Sequence, residues 1–185
     1  FGAPAAVIAG WFALSFAPVF AQETTWRVYN KDGLEALKAG RYAESEKLFK
    51  LALVEAEKLG PSDPRLATSL NNLAELYRTQ GKYDQAEPLY KRALAIWDKA
   101  LGSDHPDVAS SLDNLATLYQ TQGKYDQAEP PCKRALAIRE KALGTDHPDV
   151  ARSLNNLAEL YRTQGKYDQA EPSYKRSMPI SDKAL

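Results

Sequence analysis

The sequence predicts an all-α fold of about four helix pairs stacked into a superhelix, and three observations carry that expectation. Leu59–Ala100, Leu101–Ala142 and Leu143–Ala184 align without a gap at a period of 42 residues, the last two agreeing at 30 of 42 positions. Each of these units holds two apolar stripes with helical spacing. A glycine falls between the stripes at the same place in every unit, where a tight inter-helix turn needs backbone freedom. A repeat of this length is one supersecondary unit that cannot bury its own apolar faces. The stack is therefore the folding unit.

From the N-terminus, residues 1–21 stand apart. Phe1 to Gln22 carry no charge, Ala5–Phe16 is an apolar run, and Pro18 precedes Val19-Phe20-Ala21. An apolar run, a helix breaker and a small-residue site predict an export leader with Gln22 as the first mature residue. The chain opens on Phe1 and lacks the basic start of such leaders, which predicts a sequence trimmed at its front. The alternative is a retained membrane anchor, since about 20 apolar residues span a bilayer. Pro4, Gly10 and Pro18 weigh against it. Both readings place the remainder outside the cytoplasm, in a bacterial periplasm or secreted, with membrane contact only if the segment is retained.

The array then occupies residues 22–185, in units near 24–58, 59–100, 101–142 and 143–184. The first unit is diverged, with Ala39-Gly40-Arg41-Tyr42-Ala43-Glu44 echoing Gln80-Gly81-Lys82-Tyr83-Asp84-Gln85. In the second, Leu70, Leu73, Ala74 and Tyr77 form one stripe, at i, i+3, i+4 and i+7. Tyr83, Ala86, Leu89, Tyr90, Ala93, Leu94 and Ile96 form a broader one on the following helix. Asp104-His105-Pro106 opens the third unit, with proline near the first helical position, where its missing N–H costs nothing. In the fourth, Ser177-Met178-Pro179 replaces Ala-Leu-Ala, and Pro179 predicts a kink or an early stop. No polar capping helix follows Leu185. Repeat arrays normally need one, so the expectation is either a longer natural protein or a terminal face packed on another molecule.

Ala74, Tyr77, Gly81, Tyr83, Ala86, Tyr90 and Ala93 have the spacing of the tetratricopeptide repeat signature, and Gly33, Gly40, Tyr42, Phe49 and Ala52 match it in the first unit. The chain resembles that family over about residues 24–185. Its long period and LGxDHPDVAxSLxNLAxLY wording are similar to kinesin light chains and, more closely, to bacterial arrays of that type, exported members included. The resemblance implies a right-handed α-α solenoid that binds a protein or peptide.

Composition narrows the function classes. The chain has 24 basic and 24 acidic residues, so no net field attracts nucleic acid. Its single cysteine, Cys132, allows no internal disulfide, and no Cys/His cluster has zinc-ligand spacing. No nucleotide-binding glycine loop, GxSxG, HExxH or CxxC occurs. Cys132 stands where Tyr90 and Tyr174 stand in the neighbouring units, which predicts a buried small side chain rather than a nucleophile. His105 and His147 each sit in an Asp-His-Pro-Asp turn, which predicts capping of free N–H groups rather than metal ligation. Neither an enzyme nor a cofactor is expected.

The candidate binding residues lie on the first helices, opposite the apolar stripe: Asn71, Asn72, Glu75, Arg78 and Thr79, then Asn114, Asn155, Asn156 and Arg162. Asn72, Asn114 and Asn156 recur one period apart. An asparagine amide both donates and accepts, so it can pair with a peptide bond whatever the peptide's side chains. In peptide-binding members of the family an asparagine here often lines the concave groove. The opposing reading is that these asparagines bond between adjacent first helices. In the first unit Lys31 holds the matching position, which predicts three rungs. Glu75, Thr117 and Glu159 share one neighbouring position, and Arg78, Gln120 and Arg162 another, so the ligand is neither plainly acidic nor plainly basic. The basic clamp of chaperone-binding relatives is not evident. A protein- or peptide-binding scaffold is the leading expectation. The alternatives are an adaptor region of a longer enzyme, and head-to-tail self-association through the terminal repeat.

Overall fold

The structure, a computed structural model, describes residues 9–183, with side chains described for 23–181. The described chain is eight helices and no strand: α1 Ala9–Lys38, α2 Tyr42–Glu57, α3 Pro64–Thr79, α4 Tyr83–Leu101, α5 Pro106–Thr121, α6 Tyr125–Leu143, α7 Pro148–Thr163 and α8 Tyr167–Lys183. They form four antiparallel pairs, α1/α2 to α7/α8, each packed on the next. Of the expected export leader, residues 1–8 lie outside the described part, and the rest is backbone of α1. Among the described residues no helix is long and apolar enough to cross a membrane.

Local chemistry places each boundary. The N-cap of α3 is Asp63, whose carboxylate accepts from Arg65 N at 2.9 Å, with Pro64 directly after it. His105 and His147 cap α5 and α7, their Nδ1 atoms accepting from Asp107 N and Asp149 N at 3.2 and 3.1 Å. The capping expectation for both histidines therefore holds. At the other end of α3, Gly81 adopts φ +72, Lys82 N donates to Tyr77 O at 2.8 Å and Gly81 N to Arg78 O at 3.0 Å. This double closure satisfies carbonyls that the helix would otherwise leave open. Any residue with a Cβ is strained there.

The apolar stripes meet inside and between pairs. Leu66, Leu70, Leu73, Ala74, Leu76 and Tyr77 of α3 are buried, as are Ala86, Tyr90, Ala93, Ile96 and Trp97 of α4. Small residues set the helix approach. Ala74 is fully buried in one core cluster with Tyr90, and at the equivalent positions of the first unit Gly33 lies against the ring of Phe49. Each large side chain buried this way contributes about 1.5–3 kcal/mol.

A repeated polar latch joins successive units. Tyr77 Oη donates to Glu46 Oε1 at 3.1 Å, Tyr119 Oη to Glu87 Oε1 at 3.2 Å and Tyr161 Oη to Glu129 Oε1 at 3.0 Å. The same three glutamates pair with Lys82, Lys124 and Lys166 of the following unit at 3.9, 3.6 and 3.7 Å. Further out, Arg92 meets Glu57, Arg134 meets Asp98 and Arg176 meets Glu140, at 3.7, 2.5 and 2.5 Å. Each seam thus receives a tyrosine, a lysine and an arginine from the later unit.

The early stop expected at Pro179 does not occur, because α8 runs on to Lys183. Proline's fixed φ suits a helix, so the loss is one backbone hydrogen bond and some crowding at Lys175 O. Buried Ile180 holds the last turn against the core, and Ser181 Oγ donates to Ser177 O at 3.1 Å.

Candidate peptide-binding face

First helices of successive units touch directly, α1 with α3 and α3 with α5, whereas the second helices make no such contact with one another among the described residues. Elements that approach more closely on one side bend the stack toward that side. The first helices therefore line its inner face.

Two of the three recurring asparagines bridge those helices. Asn72 Nδ2 donates to Asn30 Oδ1 at 3.0 Å, from α3 to α1. Asn114 Nδ2 donates to Asn71 Oδ1 at 2.9 Å, from α5 to α3. Lys31, at the position matching the ladder in the first unit, is exposed and meets Glu35 at 3.9 Å. The row of acceptors runs one residue earlier, through Asn30 and Asn71. Asn72, Asn71 and Asn114 are half-buried, and each keeps part of its amide uncommitted to the neighbouring helix.

The third seam differs. Asn156 and Asn155 are exposed; Asn155 Oδ1 accepts from Ser177 Oγ at 2.5 Å, and Asn156 makes no side-chain hydrogen bond among the described residues. The acceptor that the repeat would offer Asn156 is residue 113, which is aspartate rather than asparagine. Asp113 is held instead by Arg139 of α6, at 2.6 Å, and Arg139 also donates to Ser153 Oγ at 2.5 Å. Arg139 is only 3% exposed. Sequence reasoning passed over this cluster, although Asp113 and Arg139 both depart from their equivalents Asn71 and Trp97 within one unit.

The charged candidates form a second repeated set. Tyr90 Oη and the Arg78 guanidinium both donate to Glu75. In the fourth unit Tyr174 and Arg162 do the same to Glu159. Burial raises the Glu75 carboxyl, but the hydrogen bonds from Arg78 and Tyr90 outweigh it and hold it below the usual carboxylate range. Arg78 is pushed up, chiefly by its hydrogen bond to Glu75, and Tyr90 is pushed up, chiefly by burial and then by the Glu75 charge. In the third unit all three members change together, to Thr117, Gln120 and Cys132. Cys132 is 2% exposed, with Gln120 Nε2 at 3.9 Å from Sγ. Burial pushes its thiol up to about 12, so the small buried side chain expected there is present in an inert form. Among the described residues no cluster of three or more His, Cys, Asp or Glu side chains suits a metal ion.

An all-helical solenoid with an inner polar face over a core of two buried clusters, both flanked by Leu53, Leu89 and Leu94, defines a repeat scaffold. The model of the tetratricopeptide repeat matches residues 34–98, 66–141 and 132–183, and the chain belongs to that family. Comparison with curated proteins by sequence finds no match. Among solved structures the chain is similar to BtubC (BKLC) from P. vanneervenii, with 28% identity and a TM-score of 0.79 over 86% of this chain. It spans 64% of the length of that protein. It is similar also to a Podosopora anserina putative kinesin light chain of nearly identical TPR-like repeats, with 25% identity and a TM-score of 0.73, covering 86% of this chain and 76% of that one. Aspartyl phosphate phosphatase F from Bacillus subtilis shares the fold, with 19% identity and a TM-score of 0.78, over 88% of this chain and 41% of that one.

Proposed function

We propose that the chain is a non-catalytic scaffold that takes an extended segment of a partner protein along its inner face. Members of the family are typically protein-interaction scaffolds. The observation that carries the finer reading is the row of asparagine amides, one in each of the second, third and fourth units, on a face whose apolar residues are already committed to the core. A ligand on that face meets hydrogen-bonding groups and little bare apolar surface. Recognition by main-chain amides needs such a surface. Neighbouring helices lie about 8–10 Å apart and an extended chain advances about 3.3 Å per residue, so one amide serves roughly every third peptide residue.

Head-to-tail self-association receives less support. A second copy would present Ala36 where the seams use tyrosine and Leu51 where they use arginine, leaving Arg41 as the one matching donor. Export of the array, or anchoring through residues 1–21, is proposed from the sequence of that segment. Given a basic start, N-terminal sequencing of the exported product should read from Gln22, and retention of the apolar segment in membranes would favour the anchor.

The binding reading is tested by selecting random dodecapeptides on the full chain and mapping them by backbone amide shifts. Shifts concentrated on α3, α5 and α7 are expected. Selection that yields no binder, or binders confined to α2, α4, α6 and α8, overturns the reading.

A further inference from the structure

We infer that the seam between α5 and α7 is where the inner face receives a partner's main chain, and that Arg139 is the positioning residue that keeps this seam open; the inference rests on the peptide-binding reading above. In the first two seams the ladder asparagine is spent on the neighbouring helix, Asn72 on Asn30 and Asn114 on Asn71. A ligand there meets only the part of the amide that the neighbouring helix leaves uncommitted, and gains correspondingly less than from a whole amide. In the third seam the competition is removed in advance. Arg139 reaches from α6 between the two first helices and binds Asp113 and Ser153, one on each of them. Asp113 is thereby engaged from the core side, and Asn156 is left exposed with its donor and acceptor free. The helices themselves follow the same pattern. α1 lies against α3 and α3 against α5, while α5 and α7 make no contact of that extent.

The charge on Arg139 is the reason the arrangement persists. A guanidinium this deeply buried needs an anion and further acceptors, and Asp113 with Ser153 supplies them. Arg139 holds Asp113 through Oδ2 from the core side, and no bond from Asn156 to that carboxylate is made among the described residues, so the neutral amide is left to the inner face. Trp97, the equivalent of Arg139 in the second unit, makes no such demand, and there Asn71 remains available to Asn114. The paired differences at Asp113 on α5 and Arg139 on α6 thus decide whether the amide on the inner face is a rivet or a recognition group. The group it offers suits the peptide bond of an extended polypeptide, with Asn155 one residue away on the same helix.

The test needs no natural ligand. The double variant D113N/R139W copies the Asn71 and Trp97 arrangement that the chain already folds with one seam earlier. In the native chain the side-chain amide of Asn156 should exchange its protons with water much faster than those of Asn72 and Asn114, and in the double variant it should slow to their level. A native Asn156 amide as protected as the other two, or one unaffected by D113N/R139W, overturns the inference while leaving the broader reading standing. A library-selected dodecapeptide that binds the inner face is the second probe. N156A and D113N/R139W should each weaken it by about fivefold, the worth of one neutral hydrogen bond, while N72A and N114A change it by less than about twofold. Equal losses in all three single variants overturn the inference, and absence of any inner-face peptide overturns the reading beneath it.

Discussion

Tyr90 donates its hydroxyl to Glu75 Oε2 at 2.7 Å, so a phenol fully buried between α3 and α4 is tied to a carboxylate that borders the inner face. The bond links the core of the second unit to its polar surface. Glu75 is about one-third exposed, which puts the worth of the contact near the lower end for hydrogen bonds to charged groups. Y90F should destabilise by about 1 kcal/mol at pH 7 in urea denaturation. The carboxyl of Glu75 is depressed in the folded state, so its contribution is present above the ordinary value of 4.5 and is lost as pH falls through the folded value. The gap between wild type and Y90F should therefore narrow at pH 3. A gap independent of pH would place the cost in packing. Y174F, beside the more exposed Glu159, should cost less.

Much of this was legible in the sequence, and all but one of the misses share a cause. The 42-residue period and the turn glycines gave the helix pairs and their boundaries, because caps and apolar spacing are local properties. The same spacing put Asn72, Asn114 and Asn156 on one face. Spacing does not say whether a neighbouring helix takes the amide, which depends on a second residue 42 or more positions away, Asn30 or Asn71. Arg139 with Asp113 is the same difficulty across two helices. Pro179 misled in another way: its local penalty is genuine, but tertiary burial of Ile180 outweighs it.

Gly33 provides a test of the helix approach in the first pair. A Cβ there would lie 2.6 Å from Cε1 of the buried Phe49 ring. Alanine gains about 1 kcal/mol of helix propensity over glycine, but overpacking costs about 1–3 kcal/mol. G33A should therefore lower stability, measured by thermal melt, and G33A/F49L should recover part of the loss. Stabilisation by G33A would show that the ring moves freely.

The asparagine rows predict a split in stability. N72A and N114A each remove a bond worth about 1 kcal/mol and regain roughly 0.6 kcal/mol in helix propensity. N156A removes no intramolecular bond and keeps only the gain. N156A should thus be at least as stable as wild type, and N72A and N114A less stable than N156A by about 1 kcal/mol. Three equal melting curves would mean that the two inter-helix bonds contribute nothing in solution.

Pro179 still removes the donor to Lys175 O, even though α8 continues past it. Residues after Met178 should exchange amide hydrogens faster than those after Leu136. P179A should slow that exchange and raise stability by about 1 kcal/mol, below the full interior penalty of about 3 kcal/mol because α8 accommodates the ring and continues past it. Equal protection in the two segments of the native monomer would contradict this account.

The third unit offers the sharpest test of whether the Glu75, Arg78 and Tyr90 set acts together. C132Y alone inserts a phenol where Thr117 and Gln120 replace the carboxylate and the guanidinium, so its hydroxyl enters a buried site without the anionic acceptor that Tyr90 has. An unsatisfied buried hydroxyl costs about 1–3 kcal/mol, enough to cancel the added apolar burial of the ring. T117E alone brings a carboxylate with neither donor. In the triple variant T117E/Q120R/C132Y each group has the partner it has in the second and fourth units. The triple should therefore be more stable than wild type, while C132Y and T117E singly are neutral or less stable. The excess over the sum of the single changes, read by urea denaturation in a mutant cycle, should be about 1 kcal/mol or more. Additive single effects would show that the three positions vary independently and that their joint replacement in the third unit has no energetic origin.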